Sequence, residues 1–302
     1  MTETTESKVV QHVYEFAELE RPPAGPTSLQ VTARKLLSGT SLKTAKSSTV
    51  GAVLHGQRII CTLGTQEAGT GAKAHTHPNE QFNYIIRGTM MSDIEGDRVF
   101  ASSGTILHTP GGVAHTGLAC PDEDLLFLAI KDTRSGIIGP PVDGKYDGPN
   151  CCPGFGSRSA EPRLSTSALI EQSRDLPPGP GKRYVYNMLR EADSGRTPAS
   201  AEVTTDAQLR LPPGITGKLL TGERLHVGVL HLTAGAVLNN YRRDNEQFVF
   251  VVEGELDVEL HEEQYIVPLR SLLHIPAGVR HELIAPHGAI IVIAQDKGEP
   301  SV

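Results

Sequence analysis

His75 and His77 stand two residues apart, Gln81 follows after a short gap, and His115 arrives further along the chain. Two histidines at i and i+2 on an extended segment project from the same face of a strand. Gln81 falls after a short turn, and His115 comes from a strand pair further on. Four donors converging from separate strands surround one metal ion, and imidazole suits zinc, copper, iron or nickel. Asn83 shares strand parity with Gln81 and is expected to line the same pocket, with Phe82 and Tyr84 pointing the other way.

Donors spread over that many segments need a scaffold of short strands. From about Val50 to Lys131 the chain offers it: RIICTL, FNYIIRG, DRVFASSG, TILHTPGG and LLFLAI are β-type runs punctuated by glycine. Such spacing predicts an all-β sandwich or barrel. A length of 302 residues holds two domains, and 38% hydrophobic with 21% charged residues describes a soluble globular chain. No apolar run has the length of a membrane span, and a net charge of −7 argues against nucleic acid and anionic membranes as partners. The opening MTETTESKVV has neither the basic start nor the apolar stretch of a secretory signal. Cys61, Cys120, Cys151 and Cys152 lack metal-type CxxC spacing. Reduced thiols and a cytoplasmic location are therefore expected, with Cys151-Cys152 in a plain loop.

The order Gly71, His75, His77, Gln81, Gly88, then Gly104, Pro110, Gly112, His115 resembles the two cupin motifs, roughly G-x5-H-x-H-x3-E-x6-G and G-x5-P-x-G-x2-H. The second motif matches fully. The first has three residues instead of five between Gly71 and His75, and Gln81 in place of the glutamate. The six residues FNYIIR between Gln81 and Gly88 favour Gln81 over its neighbour Glu80 as fourth ligand. A glutamine offers one neutral carbonyl oxygen, a weaker ligand than carboxylate, and Glu80 remains the rival, facing outward or standing behind the ligands. His108, two residues before Pro110, is a candidate proton shuttle or support for a ligand. Met90-Met91 is read as core.

From about Gly217 the first domain repeats. Gly56-Gln-Arg-Ile corresponds to Gly222-Glu-Arg-Leu, Glu80-Gln-Phe to Glu246-Gln-Phe, and Leu107-His108-Thr-Pro110 to Leu273-His274-Ile-Pro276. An internal repeat of one β-domain indicates duplication, and the whole resembles a bicupin: two double-stranded β-helix (jelly-roll) barrels in tandem. The expected division is an N-terminal arm at 1–48, a metal-bearing barrel at 49–135, a Gly/Pro-rich linker at 136–215, and a degenerate barrel at 216–302. Aligning Gly71-Ala with Gly235-Ala puts Asn239 and Tyr241 at the places of His75 and His77, with a turn two residues longer. Arg270 replaces Gly104, while Gln247 and His281 remain. His274 at the place of His108 favours a structural role for both.

The resemblance implies one divalent metal per chain, iron(II) first, with manganese, nickel, copper or zinc as alternatives, and a homodimer as the expected assembly. Three function classes follow: a mononuclear metal dioxygenase, a non-redox isomerase or lyase acting on a sugar acid or related acid, and a binding protein without chemistry. Three imidazoles and a neutral glutamine leave the ion its full charge, which favours a small anionic, chelating substrate: a phenolate, enolate or hydroxy acid. That consideration tips the expectation toward the dioxygenase.

Overall fold

Strand alternation decides how the large sheets are used. In the computed structural model, which describes residues 10–37, 47–144, 164–189 and 198–298, the chain forms two jelly-roll barrels in tandem, each a seven-stranded sheet facing a four-stranded one. The large sheet of the N-terminal barrel runs Val185–Asn187, Thr105–Thr109, Gln81–Arg87, Leu125–Asp132, Ile59–Gln66, Val50–His55, Gln30–Leu36. Its small sheet runs Gly71–His75, His115–Ala119, Thr89–Ile94, Asp97–Ser102. All paired strands in both barrels are antiparallel, and every equivalent strand recurs in the second.

Successive side chains on a strand point to opposite faces. On Gln81–Arg87 and Leu125–Asp132, Phe82, Tyr84, Leu126, Leu128 and Ile130 belong to a core shared by both barrels. Leu225, Val227, Phe248 and Phe250 meet them from the other side. The alternate residues Ile85, Phe127 and Ala129 turn into the N-terminal barrel's own interior. Each large sheet thus uses one face for filling its own barrel and the other for joining the pair.

The arm and the linker are not accessories. Val13–Glu15, ahead of the first barrel, pairs with Ser271–Ile275 of the second, and Val185–Asn187, ahead of the second, pairs with Thr105–Thr109 of the first. The two barrels exchange edge strands. The span 136–215 therefore departs from a linker: it also contributes Glu202–Thr204 to the second barrel's sheet and the helix Thr166–Ser173, capped by Ser165. Cys61 and Cys120 are buried free thiols, while Cys151 and Cys152 fall outside the described residues. Among the described residues no helix is long and apolar enough to cross a membrane.

Two buried glutamates reinforce the exchange. The Glu80 carboxylate accepts the backbone N–H groups of Glu223, Arg224 and Leu225, each at 2.7 Å, from a hairpin turn of the second barrel. Glu246 accepts those of Gln57 and Arg58 at 2.9 Å and Ile59 at 3.1 Å, from the matching turn of the first. Glycine is required in both turns, because a Cβ on Gly222 or Gly56 would lie 2.2 Å from a carboxylate oxygen. Behind each glutamate stands a histidine and then a serine from the exchanged segment. His108 lies between Glu80 (3.4 Å) and Ser200 (2.9 Å), and His274 between Glu246 (3.0 Å) and Ser28 (2.8 Å). Tyr186 and Tyr14 close the two relays, touching Ser200 and Ser28.

Burial opposes ionisation of both carboxylates, but the hydrogen bonds from His108 or His274 and from the backbone outweigh it. Each pKa is held below the ordinary 4.5. As pH falls below 4.5, the unfolded chain takes up protons that the folded carboxylates refuse. The stabilisation is therefore full above that value and fades as pH drops through the lower folded-state pKa values. Glu246→Ala, which orphans three N–H groups, should cost about 2–4 kcal/mol in urea unfolding. The Glu80→Gln/Glu246→Gln double variant should lose less stability than wild type between about pH 5 and 3. Identical acid slopes would refute this assignment.

Candidate metal centre

His75 ends the strand Gly71–His75 and His115 begins His115–Ala119, and the two are register partners across the small sheet. His77 lies in the turn that follows, where its carbonyl accepts the Gly112 N–H at 2.8 Å, tying the two motifs together. All three rings are oriented from behind by backbone. Nδ1 of His75 meets the Lys73 carbonyl at 2.6 Å, Nδ1 of His77 that of Asn79 at 2.8 Å, and Nδ1 of His115 that of Val113 at 2.9 Å. A carbonyl only accepts, so each Nδ1 carries the proton and each Nε2 carries the lone pair. The candidate ligand atoms lie within 4.8 Å of one another, and all three side chains are buried.

These features fit a divalent metal. His115 Nε2 is buried with no hydrogen-bond partner. Burial first, then the charge of Lys131, pushes His77 down to about 3, and burial with the two neighbouring histidines holds His115 well below its ordinary value. His77 and His115 are therefore neutral at physiological pH, the state that ligation requires. A cationic group already sits on one of the lone pairs: Lys131 Nζ is 3.2 Å from His77 Nε2. Among the described residues this is the one cluster of three or more His, Cys, Asp or Glu side chains arranged to share an ion.

The triad opens onto a cavity of about 50 Å³ inside the first barrel, which His75, His115, Gln81, Asn83, Thr62, Gln66 and Lys131 line with polar groups. Gln81 donates to Asn83 Oδ1 at 2.7 Å, so Asn83 holds its amide. Glu80 and His108 do not stand behind the triad, so their candidacy as supports for the ligands is set aside, and the contacts of His108 are those of the structural role favoured for it. Strand alternation sends them to the opposite face, where their polar atoms serve the contact between barrels and the His108 ring stacks on Phe82 at 4.4 Å. Gln81, by contrast, lines the cavity beside the triad. Met90, read as core, also touches the cavity.

Sequence reasoning missed Lys131, which stands at the end of the apolar run LLFLAI. It alternates inward with Phe127 and Ala129 and pairs in register with Gln81. Burial pulls its pKa down to about 7 against the opposing pull of Asp132. Ile137 and Ile138, assigned to the linker, form another wall, because the following segment lies on the histidine strand through a His75–Pro141 bridge.

The second barrel keeps the frame and loses two of the donors, while Gln247 and His281 remain. Tyr241 pairs with His281 as His75 pairs with His115, and the Gly278 N–H meets the Arg243 carbonyl as Gly112 meets that of His77. Tyr241 and Arg243, not Asn239 and Tyr241, therefore occupy the histidine positions, and the turn needs no insertion. Arg270 takes the left-handed backbone of Gly104, with φ of 60° against 80°. Leu230, Leu232, Val249 and Ile291 fill the interior.

Fold and site together define a two-barrel β-protein with a histidine triad fit to hold a metal ion. Residues 62–131 and 228–293 each match the Cupin_2 family, described as cupin domain. The chain is a bicupin of the cupin superfamily. Among solved structures it is similar to a mutant of oxalate decarboxylase OxdC from Bacillus subtilis, with a TM-score of 0.60 and 11% identity over 99% of this chain and 81% of that one. A mutant salicylate 1,2-dioxygenase from Pseudoaminobacter salicylatoxidans in complex with gentisate gives 0.53 and 15% over 83% and 74%. AerE from Microcystis aeruginosa gives 0.54 and 11% over 83% and 93%. At these identities the likeness is one of fold. No curated protein sequence matches the chain.

Metal analysis should find one divalent ion per chain. His115→Ala should reduce it to a trace, whereas His281→Ala should leave it unchanged. Two tightly held ions per wild-type chain would contradict a single centre.

Proposed function

We propose that the protein is a mononuclear metal-dependent dioxygenase acting on a small anionic, chelating substrate. The observation that carries this reading is the charge pattern of the cavity. Among the described residues that line it there is no Asp or Glu, and beside the histidines its ionisable side chain is the amine of Lys131. With neutral imidazoles and a neutral Gln81, the site presents uncompensated positive charge once an ion is bound, and an anion is the complement. Bound at the triad, iron(II) would supply the one-electron chemistry that reaction with O2 requires.

The chain's own groups set the conditions. His75, His77 and His115 hold the ion with backbone-fixed rings, and Gln81, steadied by Asn83, is a weak donor that can yield to substrate. Ile60, Phe127, Ile137 and Ile138 wall the cavity with hydrocarbon and keep bulk water from reactive species. The fold neighbour named salicylate 1,2-dioxygenase supports the oxygenase. A second reading, a non-redox lyase or isomerase, draws support from the neighbour named oxalate decarboxylase.

The two readings part on the metal. Protein loaded anaerobically with iron(II) should consume O2 with a member of a catechol, β-diketone and hydroxy-acid panel. The zinc form should bind the same compound without turnover. Full activity of the zinc form without oxygen uptake would install the lyase or isomerase instead.

A further inference from the structure

Two buried polar atoms inside the cavity have no partner in the protein. Thr62 Oγ1 and Gln66 Oε1 lie on residues 2% and 3% exposed, and both residues line the cavity. The Gln66 amide cannot be turned to relieve this. Its Nε2 donates to the Gly117 carbonyl at 3.3 Å as well as to Thr49 Oγ1 at 2.7 Å, and a carbonyl accepts only. Gln66 therefore presents a bare acceptor that needs a donor from a ligand.

Lys131 makes the complementary demand. Its ammonium is held by His77 Nε2 and by the Ile137 carbonyl. The first of these is the lone pair that an ion at the triad requires. Once the ion takes it, Lys131 keeps one neutral acceptor, and no lining Asp or Glu supplies another.

The second barrel serves as an internal control. Strand registers align Thr62 with Gly228, Gln66 with Leu232, Asn83 with Val249 and Lys131 with Gln295. The same fold closes around Leu232 and Val249 without these polar groups. The glutamates, histidines, serines and tyrosines of the barrel contact, by contrast, recur in both copies. The polar set is tied to the metal-bearing cavity and not to the architecture.

We propose that Lys131, which stands beside the triad, anchors the carboxylate with which the substrate would also meet the ion, while Gln66 and Thr62 receive a hydroxyl at its other end, which narrows the substrate class to small hydroxy carboxylic acids with an apolar body. This rests on the cavity being the substrate site of the metal centre, as read above, but not on the reaction being an oxygenation. The body would lie against Ile60, Phe127 and Met90.

The test is calorimetric binding to zinc-loaded protein, where no turnover intervenes. The probes are 3-hydroxybenzoate and 3-hydroxybutyrate, the amide of each, and 3-methoxybenzoate. Wild type should prefer each acid to its amide. Lys131→Met should weaken the acids about thirtyfold and change the amides less than about threefold. Lys131→Arg should recover part of the loss. Zinc affinity of the Met variant, by chelator competition, should hold or rise, because a cation beside the ion has been removed; a variant that merely misfolded would lose zinc. Gln66→Leu should erase an advantage of about tenfold of 3-hydroxybenzoate over its methoxy analogue. Acids that bind the Met variant as tightly as wild type, or a wild type with no preference for either acid, would overturn the proposal. Failure of the metal centre would show separately, as zinc below one per chain.

Discussion

Each barrel of this molecule grips a turn of the other through a buried carboxylate, and the rest of the structure is arranged around that reciprocal contact. Three backbone N–H groups converge on Glu80 and three on Glu246. Charge-assisted bonds of this kind are strong, and a buried carboxylate without them would be untenable. The contact fixes the two large sheets face to face, with an apolar core shared between them. It also reserves one face of Gln81–Arg87 for the neighbour, so that only the other is free for chemistry.

Adjacent residues therefore have opposite assignments. Glu80 belongs to the barrel contact and Gln81 to the metal cavity, although a single peptide bond separates them. His108, which the motif places suggestively close to Pro110, belongs with Glu80. The Asp132 carboxylate extends the same seam, bonding the Glu80 N–H and pairing with Arg134, which reaches across to Glu223. Lys131, one residue before Asp132, is on the cavity side. Alternation along two strands has separated the adhesive residues from those that line the cavity.

Much of this was legible in the sequence. The all-β class, the duplication and the His75, His77, His115 group follow from spacing, because motif glycines and histidines mark turns and donor positions directly. The strand exchange was not, since partner choice is a tertiary matter that local pattern does not encode. A faint echo exists: Val13-Tyr14 with Pro26-Thr27-Ser28 recurs as Val185-Tyr186 with Pro198-Ala199-Ser200. It is too short to stand out from a proline-rich background. Lys131 was hidden for another reason. At the end of the apolar run LLFLAI it reads as a solvated terminus, and only its pairing with Gln81 shows that it turns inward. The one register error, an assumed insertion after Tyr241, came from aligning on Gly235 instead of on the His281 strand.

The exchanged edge strands give the two halves the relationship of subunits in a symmetric dimer, with a covalent tether in place of mass action. Tethering holds the partners at an effective concentration that dilution cannot lower. Pairing thus persists whether or not both halves bind anything. In a homodimer of identical chains, replacing two histidines by tyrosine and arginine would erase both centres at once. On a fused chain the same change erases one and leaves the other its scaffold, so asymmetry of function is available to this architecture at no expense of form.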